Sequence, residues 1–271
     1  MSKSPQASWA VLLEVQDRGW GKVAFVTVDN SARANALCSA LMETLAATLE
    51  DLVATPGLAA VVLTGAGERG FIGGADIGEM ASFPDSRAAR AFILRVHRCC
   101  EALRALPVPV IARINGAVLG AGLEIAAACD VRAAADHAWF GMPEVRLGVP
   151  SVVEAALLPQ LIGWGRTREL LLFGETFTAE EVSRWGLVER VVGASGLDDV
   201  IESWLDQLSR CAPNAVRLQK KLMRAWEDLP LRAAIAAGVD AFEAAAEGPE
   251  PAREMGAYLA ARRKAKSGGE G

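Results

Sequence analysis

Glu124 and Glu144 are the two side chains best placed to move a proton. Glu124 lies in the run Gly120-Ala121-Gly122-Leu123-Glu124-Ile125-Ala126-Ala127-Ala128-Cys129-Asp130, and Glu144 closes the run Phe140-Gly141-Met142-Pro143-Glu144. An ionised carboxylate is costly in apolar surroundings, so burial lifts its pKa toward neutrality. Two such carboxyls over one pocket form an acid/base pair, one taking a proton while the other gives one. Each also has a plainer reading. An ordinary helical glutamate faces water, and a carboxylate after proline is a solvated loop group. The residues after Glu124 are apolar on every side, which marks a buried helix and favours the chemical reading there.

Two glycine-rich stretches could serve such a pair. Gly70-Phe71-Ile72-Gly73-Gly74-Ala75-Asp76-Ile77 follows a buried strand, and its glycines let backbone N–H groups come close to a ligand. Asn115-Gly116-Ala117-Val118-Leu119-Gly120-Ala121-Gly122 also follows a strand and opens a helix, whose N-terminus favours negative charge. One backbone donor from each loop would make an oxyanion hole. A dinucleotide phosphate loop does not fit, because Ile125 stands where the third glycine of G-x-G-x-x-G belongs, and no Walker A lysine pattern appears. His97 and His137 belong to no Ser-His-Asp or metal-ligand pattern. Glu154 is read as a helix-start residue favoured by the dipole, with a third active-site carboxylate as the alternative.

The elements that must hold these groups alternate between strand and helix. Val11–Val15 and Val23–Val28 read as a hairpin across Asp17-Arg18-Gly19-Trp20-Gly21. Leu41, Leu45, Leu49 and Leu52 mark one helical face after Ser39, a candidate N-cap. A buried strand over Ala59–Thr64 leads into a glycine-rich loop from Gly65 to Gly78, then a helix over Ala88–Leu106 and a strand over Val110–Ile114. The turn at Asn115-Gly116 leads to the helix carrying Glu124, and Val131–Ala134 and Ala138–Phe140 read as strands. The class is α/β with mostly parallel pairing. Apart from a strand over Val188–Val192 the pattern is helical from Leu157, which divides the chain into a core, 1–197, and a C-terminal helical region, 198–271. The Ala-rich run Leu231–Ala246 has the spacing of a helix that packs on the core or on a partner subunit.

Composition narrows the function. The chain has 271 residues, 52% of them hydrophobic, enough for a large core. Its net charge of −5 and pI near 5.3 provide no global field for nucleic acid or anionic membrane, and the seven tryptophans are scattered. The apolar stretch from Ile111 to Ala128 is broken by Arg113, Asn115 and Glu124, so no membrane span is expected. The start, Met1-Ser2-Lys3-Ser4-Pro5-Gln6, lacks the apolar segment of a signal peptide. Five cysteines without ligand spacing point to reduced thiols and a cytoplasmic protein.

Several of these runs together resemble the enoyl-CoA hydratase/isomerase (crotonase) superfamily, above all its enoyl-CoA hydratases. They are Phe71–Ile77, Asn115-Gly116 through Glu124 to Cys129-Asp130, Phe140–Glu144 with Leu147-Gly148, Trp185–Val192, and Asn30 through Asn35-Ala36-Leu37. The resemblance covers about 11–265 and implies a crotonase-type spiral of β-β-α turns with a C-terminal helical region that assembles trimers, often a dimer of trimers. It implies hydration of an α,β-unsaturated acyl-CoA without metal or redox cofactor. Backbone N–H groups of Ala75 and Ala121 would hold the thioester oxygen. Glu124 would deprotonate the water, and Glu144 would exchange the proton at the α-carbon. The same resemblance puts CoA near Arg33 and Ala34, with Arg262 and Arg263 of the C-terminal helix as further contacts. Gly74, Asp76 and Gly120 would line the substrate, and Ile77 and Met80 the acyl pocket. Where many hydratases are glycine-rich, the chain reads Pro150-Ser151-Val152-Val153-Glu154-Ala155. That departure leaves open a Δ3–Δ2 isomerase, decarboxylase or hydrolase on the same frame. A non-catalytic or RNA-binding member is the reading from another class, opposed by the two glutamates and the negative charge.

Overall fold

The structure is a computed structural model describing residues 9–267, with side chains through Arg263. Its strands are β1 (Ala10–Asp17), β2 (Lys22–Asp29), β3 (Leu58–Gly65), β4 (Gly70–Ile72), β5 (Val110–Ile114), β6 (Ala117–Leu119), β7 (Val131–Ala135), β8 (Trp139–Gly141), β9 (Thr176–Thr178) and β10 (Arg190–Val192). The helices up to the site's end of the chain are α1 (Ser39–Leu52), α2 (Ile77–Met80), α3 (Ser86–Ala105), α4 (Ala121–Ala128), α5 (Leu158–Phe173) and α6 (Ala179–Arg184). Then follow α7 (Leu197–Ser209), α8 (Pro213–Asp228), α9 (Leu231–Ala246) and α10 (Glu250–Ser267).

The strands form two sheets. A six-stranded sheet runs β1-β2-β3-β5-β7-β10, and a four-stranded sheet runs β4-β6-β8-β9. The chain visits them in alternation: β3 then β4, β5 then β6, β7 then β8. Each pair adds one strand to the large sheet and one to the small, the β-β-α turn expected of the spiral. Pairing is parallel except for the β1–β2 hairpin and β8–β9. The inner strands β3, β5 and β7 are short apolar runs, as befits strands covered on both faces. The edge strand β1 leaves Leu12, Leu13 and Val15 exposed.

Against this sheet α1 and α3 pack side by side. Leu41, Met42, Leu45, Leu49 and Leu52 of α1 are buried, as are Phe92, Val96, Cys99, Cys100 and Leu103 of α3. None of the five cysteines forms a disulfide. Burial pushes the Cys99 thiol up to about 12 and Cys100 well above the usual thiol range, so both act as small apolar groups.

Three local readings change. The N-cap of α1 is Cys38, not Ser39, which is the first helical residue; its N–H and hydroxyl both go to the Glu79 carboxylate, the N–H at 2.8 Å. The glycine-rich loop contains a strand, β4, because parallel pairing to β6 satisfies its backbone. A strand, β6, also stands between Asn115-Gly116 and α4. A three-residue strand embedded in a glycine-rich stretch carries too little periodicity to be seen in sequence.

The described chain forms two compact units that divide between Asp206 and Gln207, inside α7. The first turns of α7 belong to the first unit, where Arg18 binds Glu202 and Arg113 binds Asp198. In the second unit Glu250 accepts from the N–H of Asn214 at the start of α8, and Trp226 Nε1 donates to Ala234 O at 2.9 Å. Along α9, Leu231, Ile235, Val239 and Phe242 are exposed on this single chain. Among the described residues, no helix is long and apolar enough to cross a membrane.

Candidate active site

The small sheet exists to bring three strand ends together. In parallel register β4, β6 and β8 finish side by side, and their continuations are Gly73-Gly74-Ala75, Gly120-Ala121 and Met142-Pro143-Glu144. Glycine is required at the contacts. A Cβ at Gly74 would lie 3.2 Å from Leu119 O, and Gly74 has φ +104°. A Cβ at Gly122 would collide with Ile72 O, so the first turn of α4 can lie on the end of β4 only with glycine there. At Gly120, with φ +48°, a Cβ would run into Glu144 Oε1. The Glu144 carboxylate therefore rests on the N-terminus of the helix that carries Glu124.

Two buried asparagines fix the loop beneath. Asn35, fully buried with φ +60°, accepts from Asn30 N at 2.9 Å and donates to Gly70 O at 2.8 Å and Ala66 O at 3.0 Å. Asn115 Nδ2 donates to Gly65 O at 2.9 Å. Asparagine supplies both donor and acceptor, which serves both positions, and at Asn35 it also tolerates the left-handed conformation.

The geometry leaves two donors open. Leu37 N donates to Gly74 O at 2.8 Å and Asp76 N donates to Leu37 O at 2.9 Å, so the N–H of Ala75 between them points away from this ladder. Ala121 is the first residue of α4, where N–H groups lack an intrahelical acceptor. Among the described residues neither N–H donates to a protein acceptor.

The carboxyls differ. Glu124 is 3% exposed, and its pKa is raised to about 8 by burial first, then by the negative charges of Glu144 and Glu154; main-chain N–H groups of Ala155 and Val152 offset part of this. Glu144, half-buried on the turn Pro143–Leu147, is also raised by burial, while its own N–H and the Ser151 hydroxyl hold it back. Ser151 Oγ donates to Glu144 Oε2 at 2.9 Å. The charge of Glu144 thus acts on the Glu124 carboxyl and helps to raise its pKa.

Ser151 and Glu154 come from the stretch that departs from the family pattern. Glu154 stands at a helix start, in the first turn of the one-turn helix Val153–Leu157, but it is buried there, and His97 Nδ1 lies 2.7 Å from its Oε1. That pairing of His97 was not legible in the sequence, since α3 and the turn meet only in the fold. His137 lies apart from these carboxyls, its Nε2 3.2 Å from Asn115 O and its Nδ1 3.6 Å from Asp136 Oδ1.

The other sequence-derived positions divide. Arg33 Nη1 donates to Asp76 Oδ2 at 2.7 Å, and Asp76 Oδ1 accepts from Glu79 N as the N-cap of α2. Ala34, at φ +52°, accepts from Gly73 N at 2.8 Å, so Arg33 and Ala34 stand beside the Ala75 loop. Met80 packs partly on the core and Ile77 is exposed. Arg262 and Arg263 are exposed on α10, in the second unit. A separate cleft lined by Arg166, Phe177, Arg184 and Trp185 shares no residue with the site, and its arginines pair with Glu169 and Glu180.

The family model for enoyl-CoA hydratase/isomerase matches residues 19–266. The chain is 35% identical to a short-chain-enoyl-CoA hydratase of Clostridium acetobutylicum over 82% of this chain and 85% of that protein. It is 30% identical to a crotonyl-CoA hydratase of Syntrophomonas wolfei over 93% and 96%. Among solved structures, an enoyl-CoA hydratase from Bacillus anthracis superposes with a TM-score of 0.85 at 31% identity, covering 91% of this chain and 95% of that one. With its alternating sheets, its C-terminal helices and these matches, the chain belongs to the enoyl-CoA hydratase/isomerase (crotonase) superfamily and is an enzyme of the enoyl-CoA hydratase type.

Proposed function

We propose that the enzyme adds water across the 2,3 double bond of an α,β-unsaturated acyl-CoA, giving a 3-hydroxyacyl-CoA. The observation that carries this is the contact of Glu144 with the N-terminus of α4, which couples its carboxylate to Glu124 beside two open N–H groups. The thioester oxygen accepts from Ala75 N and Ala121 N. Negative charge that develops there as the enolate forms is stabilised by roughly 3–4 kcal/mol per donor.

One proton is shared by the two glutamates at neutral pH. Water held between them gives a proton to the Glu124 carboxylate as its oxygen bonds the β-carbon. The Glu144 carboxyl gives its proton to the α-carbon, and the π electrons of the double bond form that new C–H bond. The turnover ends with the proton on Glu124, where burial and neighbouring charge favour it. Passing it to Glu144 through the next water resets the site, so over successive turnovers the hydrogen and the hydroxyl added to substrate both come from water and no cofactor is consumed.

CoA lies along Arg33 and Ala34, beside the loop that carries the Ala75 N–H. Gly74, Asp76 and Gly120 shape the thioester end, and Ile77 and Met80 the acyl end. The exposed apolar face of α9 supports assembly through the C-terminal region, as a homotrimer or dimer of trimers. The test is a panel of enoyl-CoA thioesters of varied chain length with products identified by mass. Gain of one water is the expected result; loss of CoA, loss of CO₂, or a shifted double bond at unchanged mass would move the enzyme to another reaction of the superfamily.

A further inference from the structure

Beside the acid/base pair lies a third carboxylate with one oxygen unaccounted for. Glu154 is 7% exposed. Its Oε1 meets His97, whose half-exposed ring faces outward, while its Oε2 is sealed from solvent and has no partner at full hydrogen-bond geometry among the described residues, although the weak thiol donor of Cys100 also interacts with the carboxyl. A buried polar atom left in this way is costly and calls for a reason. The backbone just before it is also strained: Val153 has φ +38°, a conformation a β-branched residue adopts only under constraint from its surroundings.

The groups around Glu154 are few. From α3 it pairs with His97 and interacts with the Cys100 thiol, and its charge also reaches Cys99; both cysteines are buried thiols held protonated. From α4 it meets Glu124, whose ionisation its charge opposes, with Glu144 acting on the same carboxyl. The helix α5, which packs on the same turn, carries no ionisable side chain before Arg166. The inward field of Glu154 is therefore directed at Glu124.

We propose that Glu154, oriented by His97, is a positioning residue for Glu124: its charge, fixed beside the Glu124 carboxyl, strengthens Glu124 as the base that takes the proton of water. It exchanges no proton with substrate and forms no bond. A like charge at a fixed distance stabilises the protonated neighbour, and protonated Glu124 is the state in which water addition ends. This rests on the hydratase reading above, and it explains why a buried charge sits in a stretch where small residues would pack more simply.

The test is the pH dependence of kcat/KM and kcat for crotonyl-CoA in four forms: the wild type, Glu154→Gln, Glu154→Asp and His97→Leu, with Glu124→Gln as reference. Glu154→Gln moves the alkaline limb to lower pH and lowers plateau kcat about tenfold, less than the 10²–10⁴ that acid–base catalysis contributes as a whole. KM changes little, and Glu154→Asp restores most of the limb. His97→Leu, at a half-exposed position that does not threaten folding, removes the donor that orients Glu154 and shifts the limb the same way. An alkaline limb that stays in place in both Glu154→Gln and His97→Leu overturns the proposal, whether or not kcat or Tm falls. Near-wild-type turnover in Glu124→Gln would instead overturn the base role on which it depends.

Discussion

The large and small sheets are laid down by the same alternating passage of the chain, and they divide its tasks. Strands β2 and β3 of the large sheet have eight residues each and β5 and β7 five, mostly apolar, and their one register shift falls at the start of β2, between Lys22 and Val23. Every strand of the small sheet has three residues, and the β4–β6 register slips between Gly70 and Ile72. The large sheet supplies burial. The small sheet supplies ends: loops that leave its short strands early, at glycines, and so bring N–H groups and carboxylates to one spot. The groups proposed to carry the chemistry stand where regular structure is thinnest, because an unpaired donor or a buried charge is incompatible with a fully paired, apolar strand.

Substitutions in the two sheets should separate accordingly. Leu63→Ala in β3 removes a fully buried side chain and is expected to cost roughly 2–5 kcal/mol of stability, measured by denaturant unfolding, with kcat of the folded enzyme unchanged. Gly120→Ala at the end of β6 forces a side chain onto a backbone suited to glycine, costing about 1–3 kcal/mol, and drives the new Cβ against Glu144. Its larger consequence is for turnover, since Glu144 must swing off the N-terminus of α4. Equal losses of stability and turnover in both variants would erase the distinction between the sheets.

The smallest effect is on pH. Because the folded pKa of Glu124 is raised to about 8 from an ordinary carboxylate value, the native state holds a proton that the unfolded chain releases. Stability from this group is full below the ordinary carboxylate range and is lost as pH rises toward about 8. Glu124→Gln, which keeps the shape and cannot ionise, should therefore raise Tm, with a gain that grows over that interval. A gain independent of pH would contradict the burial of an ionisable group there. The same value predicts an alkaline limb near pH 8 in the wild-type kcat/KM profile, where the shared proton is lost.

The comparison also explains what could be read in advance. Apolar runs such as Ala59–Thr64 and Val110–Ile114 announce buried strands, and Ile125–Cys129 announces that Glu124 is enclosed. The three-residue strands β4, β6 and β9 leave no such trace, since their pairing is set by neighbours distant in sequence. Glu154 follows the rule for a helix start until α3 and α4 close over it. Ser151 has no signal of its own, because its partner Glu144 becomes a neighbour only when the turn Pro143–Leu147 folds back.

The most direct test of the coupled pair is turnover of crotonyl-CoA by Glu124→Gln, Glu144→Gln and the double variant, each confirmed folded. If the two carboxyls share one proton and act as a unit, each single change lowers kcat by about 10²–10⁴, and the double variant is scarcely slower than the slower single. Losses that multiply in the double variant, or turnover near wild type in either single one, would contradict the account.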